Sequence, residues 1–269
     1  MASPIEELQT IMEKLRDPET GCPWDKKQSF DTIVPCTIEE TYEVVDAINN
    51  RDWANLREEL GDFVFQAIFY CQLAKEQSLF DFDDVISELN EKLVRRHPHV
   101  FGEEQFANDD EIRANWDRIK QQEKASKSQP EDNSILDSIP QSLPGLSKAT
   151  KIQKKCAKFG FDWQSLGPVV AKVHEEIDEV MEEAVQVSID QEKLEEEVGD
   201  LLFAVVNLSR HLKCDPEVAL QKANLKFTRR FKGIESIVYQ QGKNLDGFSL
   251  EQLDAFWEQV KVLEKQKSK

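Results

Sequence analysis

An all-α fold, built as two tandem helical bundles, is what this sequence predicts. Three observations carry it. Apolar residues recur at helical spacing, no stretch alternates convincingly as a strand, and a set of landmarks occurs twice in the same order. The 269 residues suffice for one large domain or two ordinary ones, and 39% hydrophobic with 32% charged residues suits a soluble, helix-rich protein.

The repeat sets the organisation. Glu39-Glu40-x-x-Glu43 and then Glu59-Leu-Gly-Asp62 in the first half return as Glu175-Glu176-x-x-Glu179 and Glu197-Val-Gly-Asp200 in the second. Each is followed by Lys-x-x-Arg-Arg, at Lys92, Arg95 and Arg96 and again at Lys226, Arg229 and Arg230. Each then reaches a Trp-acid-x-aliphatic-Lys run, at Trp116–Lys120 and Trp257–Lys261, and GCPWD (21–25) and GFDW (160–163) precede the acidic pairs. The expected domains are 1–125 and 146–269, with a linker over 126–145. Its first part is polar and aperiodic, and SIPQSLPG (138–145) reads as an extended lead-in.

Along the chain, the acidic N-terminus MASPIEELQTIMEKLRD has no apolar core and is not a secretory signal. FVFQAIFYCQLA (63–74) is too short to span a bilayer. In 169–184, Val169, Val173, Ile177, Val180 and Ala184 share one helical face, with Pro168 in the first turn. Leu194, Val198, Leu201, Val205 and Leu208 form a second face over 194–208. Five scattered cysteines without C-x-x-C fit reduced thiols in a cytoplasm.

The net charge of −18 argues against nucleic acid and anionic membrane as partners. Twelve of the 29 residues in 174–202 are Asp or Glu, and Lys193 is the one Lys or Arg among them. At 100° per residue, Glu176 and Glu179 flank the first apolar stripe and Glu197 and Asp200 flank the second, so packed helices bring four carboxylates together. Such a group needs a cation, and hard oxygen donors suit Mg²⁺ or Mn²⁺. Glu175, Asp178, Glu182, Glu195 and Glu196 read as solvated surface. Lys226, Arg229 and Arg230 share one helix side and serve either surface pairing or phosphate binding. Lys172, one turn before Glu176, reaches a phosphate or simply pairs with that glutamate. Trp257 is core or stacks on a base. The four histidines have no metal-ligand spacing, and there is no Gly-rich phosphate loop or nucleophile motif.

E-E-x-x-E followed by E-x-x-D, twice, with 15 and 17 intervening residues, together with LRDPETGCPWD, LEEEVGDLLFA and RRHPHVF, closely resembles the two-repeat MazG type of all-α nucleoside triphosphate pyrophosphohydrolases. The resemblance implies a hydrolase of acid anhydrides that converts NTP and water to NMP and pyrophosphate. It implies Mg²⁺, broad base tolerance, and a homodimer in which two subunits complete each bundle. Glu176, Glu179, Glu197 and Asp200 would be the metal-binding and catalytic residues. Lys172, Glu175, Glu176, Lys226, Arg229, Arg230 and Trp257 would form the substrate-binding set. Glu40, Glu43, Glu59 and Asp62, with Lys92, Arg95 and Arg96, make a possible second site. The second copy is expected to be the active one, because Thr37-Ile-Glu-Glu40 after Pro35 reads as a capping box that places Glu40 at a fraying helix start. The alternative is a helical regulatory module that binds nucleotides or a partner without turnover.

Overall fold

The computed structural model describes residues 2–127 and 134–267, and there it contains helices and no strand. It divides into two compact units, Met1–Pro130 and Glu131–Lys269. Part of the expected 126–145 linker lies outside the described residues. The remainder is not extended throughout. Ile135–Ser138 forms a 3₁₀ turn, and Pro144 leads directly into a helix.

The first unit comprises α1 (Pro4–Leu15), α2 (Phe30–Asn50), α3 (Trp53–Glu76), α4 (Phe82–Arg96), the short α5 (Pro98–Phe101) and α6 (Asp109–Lys127). Helix α3 packs against α1, α2 and α4. Met12, Ile33, Ile68, Phe69 and Leu73, each 0–3% exposed, close its core. Ser29 caps α2 by accepting from the Thr32 amide, so the helix starts well before Thr37. This corrects the capping-box expectation. Thr37 lies inside the helix, where its hydroxyl bonds the Ile33 carbonyl and the Tyr70 hydroxyl. Pro35 is tolerated within the helix, and Glu40 is ten residues past Phe30 rather than at an end.

The second unit comprises α7 (Gly145–Ala157), α8 (Leu166–Ala184), α9 (Gln191–His211), α10 (Pro216–Gln240) and α11 (Leu250–Lys267). Helix α9 packs on α7 and α8, and α10 packs on α7, α9 and α11. Asp190 caps α9 and Asp215 caps α10. Helix α7 ends at Ala157; the turn that follows reaches Gly160, whose φ of 84° is left-handed and suits glycine, and the Phe161 amide returns to the Cys156 carbonyl. The apolar stripes seen in the sequence are only partly core. Val169 is 1% exposed, yet Ile177 and Val198 are 40% and 41% exposed.

One ion-pair design recurs in both units. Arg95 and Arg96 at the end of α4 clasp Glu123 of α6, while Arg229 and Arg230 of α10 clasp Glu264 of α11. Hydrogen bonds from Arg96 and Arg95 hold the Glu123 carboxyl down at about 2, and Arg229 and Arg230 likewise lower that of Glu264. A depressed carboxylate contributes stability above its unfolded value near 4.5, and that stability is lost as pH falls. The midpoint of thermal unfolding is therefore expected to drop as pH falls from 4.5 toward 2, and Glu123→Gln should flatten the first unit's share of that slope.

Candidate functional site

Helices α8 and α9 form a hairpin that carries the acidic motif. Glu176, ten residues past Leu166, is 4% exposed. Carboxylate oxygens of Glu176, Glu179 and Glu197 lie within 4.8 Å of one another. Asp200 stands outside that three-way set, but it lines the cavity beside Glu176 and its charge acts on Glu197. Burial foremost, then a hydrogen bond and charge from Glu176, pushes the Glu179 carboxyl up; burial, then Asp200 and Glu176, does the same to Glu197.

Among the described residues, Lys172 brings a cation to this set. The Lys172 ammonium sits 2.7 Å from Glu176 and 2.8 Å from Glu175, and those hydrogen bonds, Glu175 first, raise its pKa. Glu175 itself points outward, its side chain 57% exposed. The other oxygen of Glu176, Oε2, is buried with no hydrogen-bond partner. A buried carboxylate oxygen without a donor is costly, and a cation among the three carboxylates resolves it. The donor set thus fits a divalent ion of the Mg²⁺ kind.

The carboxylates border a cavity of about 560 Å³ between α7, α8, α9 and the 160–163 loop. Lys172, Glu176 and Asp200 line one part, and Gln153, Phe161, Trp163, Val169, Phe203 and Asn207 line more of it. Asp162 ties the loop to α9 by accepting bonds from Arg210 at 2.6 and 2.8 Å, with His211 at 3.0 Å. Asp162→Asn should lower the second unit's unfolding free energy by about 2 kcal/mol, since it leaves the half-buried Arg210 short of its counter-charge. Chemical denaturation of the two proteins side by side checks this.

The downstream basic and aromatic residues are placed elsewhere within the chain. Arg229 and Arg230 are engaged by Glu264, Lys226 is exposed on α10, and Trp257 packs against Phe227 at 5.2 Å with the Arg230 guanidinium 5.5 Å above its ring. None of the four lines the cavity.

In the first unit, Glu40, Glu43 and Glu59 form a matching set within 4.8 Å. Burial, then Asp62, Glu43 and Glu59, raises the Glu40 carboxyl. Glu40 is also ten residues into its helix, so the two sets are equally well founded in helical geometry. What differs is the surroundings. By the 136-residue offset that relates Glu40 to Glu176, Cys36 stands where Lys172 stands and Ile33 where Val169 stands. By the 138-residue offset from Glu59 to Glu197, Phe69 stands where Asn207 stands. Met12, Ile33 and Phe69 belong to one buried cluster, each 0–1% exposed. Lys92, Arg95 and Arg96 lie on α4, where the two arginines hold Glu123.

Sequence reasoning passed over Gln153, Asp162, Asn207 and Arg210. A signal existed for Asn207, a lone amide in the apolar run LLFAVVNL (201–208). The Asp162–Arg210 pair, 48 residues apart, had none.

A duplicated helical hairpin with three carboxylates on facing helices defines a class, the all-α proteins built on paired acidic helices whose glutamates could hold a divalent cation. Within that class the match is specific. The MazG nucleotide pyrophosphohydrolase domain matches residues 28–101 and again 164–234, and the chain belongs to that family. It is 57% identical over 257 residues to the nucleoside triphosphate pyrophosphohydrolase of Escherichia coli K12, covering 96% of this chain and 97% of that one. It is 44% identical to the nucleoside triphosphate pyrophosphohydrolase/pyrophosphatase MazG of Thermotoga maritima, covering 96% and 95%. Among solved structures, a mazG-related protein from Thermotoga maritima is similar at 33% identity and a TM-score of 0.38, over 43% of this chain and 98% of that one. No helix among the described residues is long and apolar enough to cross a membrane.

Proposed function

We propose that this protein is a Mg²⁺-dependent nucleoside triphosphate pyrophosphohydrolase that converts NTPs and dNTPs to the monophosphates and pyrophosphate. Mn²⁺ is an alternative metal, and the second unit is the seat of the reaction. The observation that carries this reading is the three-carboxylate set of α8 and α9, with its buried, unpartnered Glu176 Oε2, bordering a cavity of nucleotide size. The family match and the names of the E. coli and Thermotoga relatives support it.

Glu176, Glu179, Glu197 and Asp200 would hold the ion. When bound, it supplies charge neutralisation, phosphate ligation and a more acidic water. The chain does the rest. Lys172 exchanges its contact with Glu176 for a phosphate oxygen. A water oxygen bonds to the α-phosphorus, one carboxylate of the cluster takes its proton, and the bond to the β-phosphate oxygen breaks to release pyrophosphate.

A second copy of the chain completes the site. Ile177, Met181, Val198 and Leu202 on α8 and α9 are 40–54% exposed, an apolar face that a homodimer would cover. The acidic cluster beside that face attracts the basic side of α10, so Lys226, Arg229, Arg230 and Trp257 reach substrate across the interface. The first unit, with a closed core beside its glutamates, is structural or regulatory. The five free cysteines fit a cytoplasmic house-cleaning role on nucleotide pools.

Incubation with a panel of NTPs and dNTPs plus Mg²⁺ tests the reaction. Monophosphate and pyrophosphate are expected. Diphosphate with orthophosphate would make this another hydrolase, and tight Mg²⁺–nucleotide binding without turnover would favour a regulatory module.

A further inference from the structure

The cavity of the second unit contains a polar group that the carboxylate chemistry does not use. Gln153 on α7 is 7% exposed, and its Nε2 donates to the Phe203 carbonyl at 2.9 Å. That bond fixes which end of the amide is which, because a flipped amide would set oxygen against oxygen. Oε1 is left buried with no donor from the protein. An orphaned buried acceptor costs free energy, so a core that needed only packing would do better with an apolar side chain. The first unit has one. Met12 of α1, 0% exposed, lies in a buried cluster with Ile33 and Phe69.

A second amide lines the same cavity. Asn207 Oδ1 accepts from Arg210 Nε at 3.1 Å and from its Nη2, which leaves the Nδ2 hydrogens as that side chain's remaining polar group. Aromatic rings of Phe161, Trp163 and Phe203 complete much of the wall, and Lys172, Glu176 and Asp200 line the same space at the carboxylate end. An acceptor, a donor and flat apolar walls, beside a site for metal and phosphate, match a planar heterocycle with an N–H next to an acceptor.

We propose that this cavity receives the nucleobase and that Gln153 Oε1 accepts a hydrogen bond from its N–H edge. The inference rests on the pyrophosphohydrolase reading, and it deepens it in a definite way. Every common base carries at least one such N–H, so a single acceptor admits all of them while refusing a base with none.

The probe is a pair of non-hydrolysable ligands, the α,β-methylene analogues of ATP and of purine riboside triphosphate. The second has hydrogen where adenine has its amino group. Equilibrium titration of the full chain with Mg²⁺ should show the purine analogue binding about 10-fold more weakly, the worth of one hydrogen bond to a waiting buried acceptor. In Gln153→Met, which replaces the amide with an apolar side chain of similar length, the two affinities should converge. Equal affinities in the unaltered protein, binding of neither analogue, or a preference that survives Gln153→Met would each overturn the proposal. The first comparison needs no variant, so a folding defect cannot mask it. Hydrolysis of ATP measured in parallel separates the two claims. A base preference without AMP and pyrophosphate would sink the reaction and leave the cavity assignment standing.

Discussion

Glu176→Gln is expected to reduce turnover roughly a thousandfold or more, the scale seen when an enzyme loses a group that organises transition-state charge. Glu176 is the buried member of its set, and its buried Oε2 has no hydrogen-bond partner. An amide there removes a charge from the cation's ligands and adds two hydrogens to a site built for oxygen donors. The fold should survive, because the side chains are nearly isosteric and the Lys172 contact can be kept through the amide oxygen. Glu40→Gln, the equivalent change in the first unit, should leave turnover close to wild type. The opposite pattern, with Glu40→Gln inactive and Glu176→Gln active, would move the site to the first unit. Steady-state rates with ATP and circular dichroism of both variants check this together.

Lys172→Met should separate metal binding from catalysis. Lys172 pairs with Glu176 at 2.7 Å, so it competes with a cation for that carboxylate. Without it, the cluster keeps its full negative charge, and its affinity for Mg²⁺ alone should rise severalfold. The value of kcat/KM for a nucleoside triphosphate should nevertheless fall by about 10²-fold, because a charge-assisted contact to phosphate is gone. A lysine that only stabilised its helix would move neither quantity in this opposed way. Calorimetric Mg²⁺ titration and initial rates on the same preparation test it.

The helical class and the duplication were legible because both depend on local spacing and repetition. The acidic residues were legible because i, i+3 spacing puts Glu176 with Glu179 on one flank and Glu197 with Asp200 on another. A Thr-x-x-Glu sequence after Pro35 has the form of a capping box, but the Ser29 cap upstream lets α2 run through the proline, so Glu40 is as firmly placed as Glu176. The two units differ in their first helices, Met12 lying in a buried cluster in one and Gln153 lining a cavity in the other, and packing between helices distant in sequence has no local signature. The clasp of Arg229 and Arg230 on Glu264 was hidden for the same reason, since its partner lies on another helix.

Water is expected to attack the α-phosphorus at the α8–α9 carboxylates. Hydrolysis of ATP in ¹⁸O-labelled water, with mass analysis of both products, tests it most directly. One ¹⁸O atom in AMP and none in pyrophosphate is expected, with the label lost along with turnover in Glu176→Gln. Label in pyrophosphate or in orthophosphate would place the attack at another phosphorus and contradict it.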